Sequence, residues 1–138
     1  MKQHLGRIAL LVDDYDHAIA YFTQKLGFDL LEDTPLSPEK RWVVVRPAGA
    51  GPGCELLLAK AKNEAQRSYI GQQGGGRVFL FLYTDNFDRD YQRYLAAGVD
   101  FEEAPRTEPY GKVAVFRDLY GNRWDFIELQ QQPAGNPD

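Results

Sequence analysis

The chain has 138 residues, 43% of them hydrophobic, enough for one domain with a real core, since a chain near this size buries roughly 70% of its unfolded surface. Sixteen basic residues stand against twenty acidic ones, for a net charge of −4, and no basic block or stripe of Lys and Arg is present; nucleic acid is excluded as an expected partner. The longest apolar stretch, Val78 to Tyr83, falls far short of the roughly 20 residues that span a bilayer as a helix, so no membrane partner is expected. The single cysteine, Cys54, has no partner within the chain, and Met1-Lys2-Gln3-His4 leads straight into a strand-like run rather than an apolar leader; both favour the cytoplasm.

Leu5 to Val12 reads as a strand, ended by Asp13-Asp14. Asp14 is placed to cap a helix whose Ile19, Phe22 and Leu26 share one face, and Gly27 stops it. Phe28 to Asp33 is a strand; Pro35 and Pro38 mark a loop; Trp42 to Arg46 is a strand; Pro47 to Gly53 is turn-rich; Cys54 to Ala59 is a strand. Lys60 to Tyr69 has weak helical character, and Gly74-Gly75-Gly76 forms a junction.

The order then repeats. Gly76 to Tyr83 echoes Gly6 to Val12, and Asp85-Asn86-Phe87-Asp88 echoes Asp13-Asp14-Tyr15-Asp16. A second amphipathic helix carries Phe87, Tyr91, Tyr94 and Leu95 and stops at Gly98; Val99 to Glu103, Lys112 to Phe116 and Arg123 to Gln130 are strands. The expected architecture is therefore α+β, one domain over 1–138: a βαβββ module at about 5–60, a linker at 61–76, a second βαβββ module at about 77–130 and a polar tail, 131–138. Strand alternation puts Ile8, Leu10 and Val12, and likewise Val78, Leu80 and Leu82, against the helices. Arg7, Ala9, Leu11, Arg77, Phe79, Phe81 and Tyr83 then face the other side, where a curled mixed sheet encloses a central cleft.

The last strand and its turn run Arg117-Asp118-Leu119-Tyr120-Gly121-Asn122-Arg123-Trp124-Asp125-Phe126-Ile127-Glu128. Gly121 and Asn122 suit the positive φ of a two-residue hairpin turn, and Asp125 points away from the face of Trp124 and Phe126. The set Asp118, Gly121, Asn122, Asp125 and Glu128 resembles the closing motif of the vicinal oxygen chelate superfamily, the group of glyoxalases, bleomycin-resistance proteins and dioxygenases. The resemblance extends from about Leu5 to Leu129 and implies the same two-module fold.

Metal-dependent members of that superfamily carry ligands on the inner faces of four strands. Matched residue by residue, the two histidine positions fall on Arg7 and on Phe79 or Arg77, the first acid on Glu55, and the final Glu on Asp125. Two carboxylates are fewer than the about three protein ligands of a catalytic divalent site, and a permanently charged arginine repels a cation. His4 precedes the first strand and His17 lies in the first helical turn, where neither restores a ligand. The resemblance then implies a metal-free protein with no cofactor, binding a small hydrophobic or aromatic molecule in a cleft lined by Arg7, Glu55, Arg77, Phe79, Tyr83 and Asp125. Arg7, Glu55 and Asp125 serve equally well as a mutually neutralising cluster, and for Phe81 core packing is favoured. Such relatives commonly pair as homodimers. The alternative is a lyase, isomerase or dioxygenase of the same superfamily holding one divalent metal at Glu55 and Asp125.

Overall fold

A computed structural model describes residues 1–49, 51 and 53–130. The first module runs β1 (Arg7–Val12), α1 (Tyr15–Ala20) prolonged by a π-helical turn (Tyr21–Lys25), β2 (Asp29–Ser37), β3 (Lys40–Arg46) and β4 (Glu55–Lys60). A short α2 (Glu64–Ser68) and the linker follow. The second module runs β5 (Val78–Tyr83), α3 (Phe87–Ala97), β6 (Asp100–Phe101), β7 (Arg106–Glu108), β8 (Gly111–Arg117) and β9 (Arg123–Leu129). The polar tail lies outside the described residues, as do two positions of the turn-rich connection between β3 and β4.

The expected repeat is visible in the pairing. The first sheet has strand order β1-β4-β3-β2 and the second β5-β9-β8-β6, with β7 also on β8; in each, the first and last strands of the module pair in parallel. The expected curled mixed sheet is built as two mixed sheets, of four and five strands, not closed on themselves.

Both helices begin and end as their residues dictate. Asp14 Oδ1 accepts from the backbone N–H of His17 at 2.9 Å, and Asn86 Oδ1 from that of Arg89 at 3.1 Å, satisfying donors that the first helical turn leaves unpaired. Gly98 ends α3 with φ 84°, a left-handed conformation that a Cβ would disfavour. Leu10, Val12, Phe22, Leu56 and Leu58 from the first module and Leu82, Phe87, Phe116, Trp124 and Phe126 from the second form one core between helices and sheets. Trp124 joins the halves, its ring 6.1 Å from that of Phe22 and 5.5 Å from that of Phe116. The Tyr94 hydroxyl adds a buried bond across the modules, donating to the Leu26 carbonyl at 3.1 Å.

Four local expectations are corrected. β2 continues through Pro35 to Ser37, which the position tolerates because β2 is an edge strand and needs no N–H on its outer side. Leu95, placed on the apolar face of the second helix by spacing, is 44% exposed. The turn between β8 and β9 spans Asp118 to Asn122 rather than two residues; Gly121 has φ 92°, while Asn122 keeps a negative φ. A bulge in β5 pairs Val78 with Arg123 but Leu80 with Trp124, so Val78 shares the face of Arg123 instead of facing the helices.

The modules are also joined edge to side chain. On the outer edge of β1, the Gln73 amide accepts from Leu11 N–H at 2.8 Å and donates to the Ala9 carbonyl at 3.0 Å, supplying the bonds a neighbouring strand would have made.

Candidate functional site

The closing motif separates into parts with different tasks. Asp118, 6% exposed, accepts from the backbone N–H of Tyr120 and Asn122, from the Asn122 side chain and from Trp124 Nε1 at 3.0 Å. Burial pushes its carboxyl above the usual range, while these donors pull the other way. Glu128 accepts from Phe87 N–H at 2.6 Å and so fixes the start of α3. Gly121 supplies the turn. Asp125 alone has no fold-making bond: it lies between Val115 on β8 and Phe81 on β5, partly buried, on the face away from the helices. Desolvation raises its carboxyl pKa, opposed by the nearby guanidinium groups of Arg106 and Arg123.

Directly paired residues share a face, so Phe81 and Tyr83 stand on the same open side as Asp125 and Ile127. Their exposures are 55% and 56%. Phe81 was expected in the core; register instead puts it opposite Asp125 on the face away from the helices. Tyr83 also lines a cavity of about 490 Å³ with Leu26, Phe28, Arg89, Arg93 and Tyr94, between the two modules.

The remaining candidates are divided between places. Arg7 Nε lies 3.1 Å from Glu55 Oε1 on the open face of the first sheet, and its guanidinium sits 5.8 Å from the centre of the Trp42 ring. Trp42 was not among the expected site residues, although its alternation with Val44 on β3 carries the signal. Arg77 and Phe79 line a small cavity, about 70 Å³, beneath the linker and beside Arg117 and Arg123. Phe79 also packs against the core, because the bulge takes it out of the alternation that was to align it with Phe81. Within one chain, then, Arg7 and Glu55 meet on one sheet, Tyr83 and Asp125 share the other, and Arg77 and Phe79 flank its edge.

Within one chain the two candidate carboxylates, Glu55 and Asp125, stand on different sheets. Among the described residues no three His, Cys, Asp or Glu side chains are grouped to hold one. Glu55 is engaged by Arg7, and Asp125 is bracketed by arginines on the other sheet.

The fold defines an α+β protein of paired βαβββ modules with an open, partly aromatic sheet face, and comparison with known proteins agrees. The family model for the Glyoxalase/Bleomycin resistance protein/Dioxygenase superfamily matches residues 4–126, and the chain belongs to that superfamily. An uncharacterized protein from Shewanella frigidimarina is 53% identical over 133 residues, covering 96% of this chain and 98% of its own. Among solved structures, UcmS2 superposes with a TM-score of 0.79 at 32% identity, covering 92% of this chain and 98% of its own. TnmS3, described as an antibiotic binding protein from Streptomyces sp. CB03234, gives 0.75 at 29% identity, covering 94% and 98%. No helix of the described residues is long and apolar enough to cross a membrane.

Proposed function

We propose that this protein is a metal-free, cytoplasmic binder of small hydrophobic or aromatic molecules, of the bleomycin-resistance type. The observation that carries the reading is the pair Phe81 and Tyr83, more than half exposed beside Asp125 on the sheet face away from the helices. Exposed aromatic surface with a few polar groups is what a planar ligand needs, since rings stack face to face or edge to face. The antibiotic-binding description of TnmS3 supports the same ligand class.

A homodimer completes the proposal. Both sheets leave open faces, and the outermost strand of the first exposes Leu30, Leu31 and Leu36. A second copy turned through a two-fold would bring the Arg7, Glu55 and Trp42 face of one chain over the Tyr83 and Asp125 face of the other. The cleft would then lie between subunits, gathering residues that one chain keeps apart.

Two measurements test this together. The purified protein is expected to hold no stoichiometric divalent metal and to show no rise in melting temperature with Ni²⁺, Zn²⁺, Mn²⁺ or Fe²⁺. Planar aromatic antibiotics should raise the melting temperature, and Phe81→Ala with Tyr83→Ala should weaken binding by about tenfold or more, through roughly 1–3 kcal/mol of lost stacking and burial. Stoichiometric metal that disappears in Glu55→Ala/Asp125→Ala would replace this reading with a metalloenzyme.

A further inference from the structure

The repeat that builds the fold also builds two matching hollows where the modules meet. Counted from the helix caps Asp14 and Asn86, the residues Asp13, His17 and Tyr21 correspond to Asp85, Arg89 and Arg93. Counted from the ends of β8 and β3, Leu119 and Tyr120 correspond to Ala48 and Gly49. One hollow, of about 500 Å³, is lined by Asp13, His17, Tyr21, Leu119 and Tyr120. The other, the cavity of about 490 Å³, is lined by the matched Asp85, Arg89, Arg93, Ala48 and Gly49. In each, a connection of one module stands over the helix of the other.

The two differ in what the connection supplies. In the first hollow Tyr120 is half-buried, packs against the core and donates its hydroxyl to Asp13 Oδ1 at 2.8 Å. In the second, glycine stands at the tyrosine position and alanine at the leucine position, so neither brings a phenol to Asp85. Asp85 Oδ1 accepts from Arg89 at 2.9 Å, and a carboxylate accepts through both oxygens. Its side chain is 87% exposed, within reach of a donor from outside. Asp90, on the same wall, is instead taken by Thr84 at 2.6 Å and by Arg89 at 2.9 Å. Buried Leu26, Phe28, Tyr94 and Phe126 form an apolar floor.

We infer that this second hollow is a binding site of its own, apart from the open sheet face, and that it takes a phenol from outside the chain. The ring lies on the apolar floor and the hydroxyl donates to Asp85, as that of Tyr120 does to Asp13. A hydroxyl bound to a carboxylate makes a charge-assisted bond, stronger than one between neutral groups. The volume falls within the roughly 300–1,000 Å³ of small-molecule sites and exceeds what one ring fills, so the phenol carries a further apolar ring or chain. Tyr83 borders both this hollow and the sheet face.

The test titrates 2-naphthol and its methyl ether, 2-methoxynaphthalene, into the full chain and follows amide proton–nitrogen spectra. Wild-type protein should bind naphthol about fivefold or more tightly than the ether, as one charge-assisted bond requires. The amides of Ala48, Gly49, Asp85, Arg89 and Arg93 should shift. Asp85→Asn should weaken naphthol by about threefold or more and leave the ether within about twofold. Ala48→Phe, which fills the hollow from its rim, should block both probes there. Tyr120→Ala should take up one more equivalent of naphthol than wild type, with new shifts at Asp13 and His17. Shifts confined to the sheet face at Phe81 and Asp125 overturn the second site and leave the proposed binding face in place. Equal affinity for the two probes, or naphthol affinity unchanged in Asp85→Asn, overturns the phenol as its ligand. No added equivalent in Tyr120→Ala breaks the match from which the ligand class is read, and binding of neither probe removes the site.

Discussion

The two modules repeat one plan, yet the connections between their last two strands are built differently. In the second module the Asp118 carboxylate is buried and gathers four donors, and Tyr120 reaches across to the first module, its hydroxyl donating to Asp13 Oδ1 at 2.8 Å. In the first module the corresponding Pro47, Ala48 and Gly49 line the cavity of about 490 Å³ that opens between the modules. One connection is a lock and the other a rim. Duplicated backbone therefore does not imply duplicated function: the locked half fixes how the modules sit, and the open half leaves space beside Tyr83.

The sharpest way to break this comparison is Asp118→Ala. It strands the Trp124 indole N–H, the Asn122 amide and two backbone N–H groups in a buried turn, and the expected loss is about 3–4 kcal/mol. Urea unfolding followed by tryptophan fluorescence measures it directly, since Trp124 is one of the stranded donors. A loss below about 1 kcal/mol would mean the turn relaxes to water and is no lock.

Glycines give the next step down. At Gly71, φ is 78° and an added Cβ would run into the Tyr120 carbonyl oxygen, in backbone that Asp118 holds still. Gly71→Ala is expected to cost about 3 kcal/mol, combining left-handed strain with a backbone collision. Gly49, in the rim, has φ 72° and open space around it. Gly49→Ala should cost only the conformational part, about 1 kcal/mol. Similar losses at both sites in thermal melts would erase the distinction between lock and rim.

How much of this was legible follows from which forces are local. The repeat, the two helix caps, the glycine stops and the inward-facing Leu10, Val12 and Leu82 follow from period and cap chemistry, which act within a few residues. The bulge at Phe79 does not, because it is set by pairing with Arg123 and Trp124, some 45 residues further on. Nor does the exposure of Phe81: an aromatic in an apolar run reads as core until the register sets it opposite Asp125 on the face away from the helices. Asp118 was visible as a motif residue, but its role as the centre of a buried network needs the indole of Trp124 to be turned toward it. The site was half legible for a related reason. Alternation put Arg7, Tyr83 and Asp125 on the faces opposite the helices, the superfamily resemblance added Glu55, and their separation onto two sheets came only with the strand order.

The smallest expected effect concerns two charge clusters at the periphery, one from each module, whose compositions are inverted. In the first, one arginine serves two acids: Arg41 bonds Asp33 at 2.7 Å and Asp16 at 2.9 Å. In the second, one acid serves two arginines: Glu102 lies 2.8 Å from Arg123 and 3.0 Å from Arg117. The Arg41 hydrogen bond lowers the Asp33 carboxyl pKa, and the Arg123 hydrogen bond, with Arg117 adding its charge, lowers that of Glu102. A carboxylate depressed in the folded state stabilises the protein above its unfolded pKa, and that contribution fades as pH falls through the folded value. Both modules should therefore lose stability in the same direction on acidification, beginning near the ordinary carboxylate range. Glu102→Gln and Arg41→Met should each melt about 2 °C lower than wild type at neutral pH, since exposed pairs are screened by solvent, and the gap should close in acid. The pairs part company in salt. Removing Glu102 leaves two arginines facing each other across paired β8 and β9, a repulsion that added salt relieves, whereas Arg41→Met leaves its two acids, Asp16 and Asp33, on elements that are not paired, α1 and β2. Melting curves at low and high ionic strength should show the Glu102→Gln deficit shrinking the more; equal salt dependence would show that the inversion has no energetic consequence.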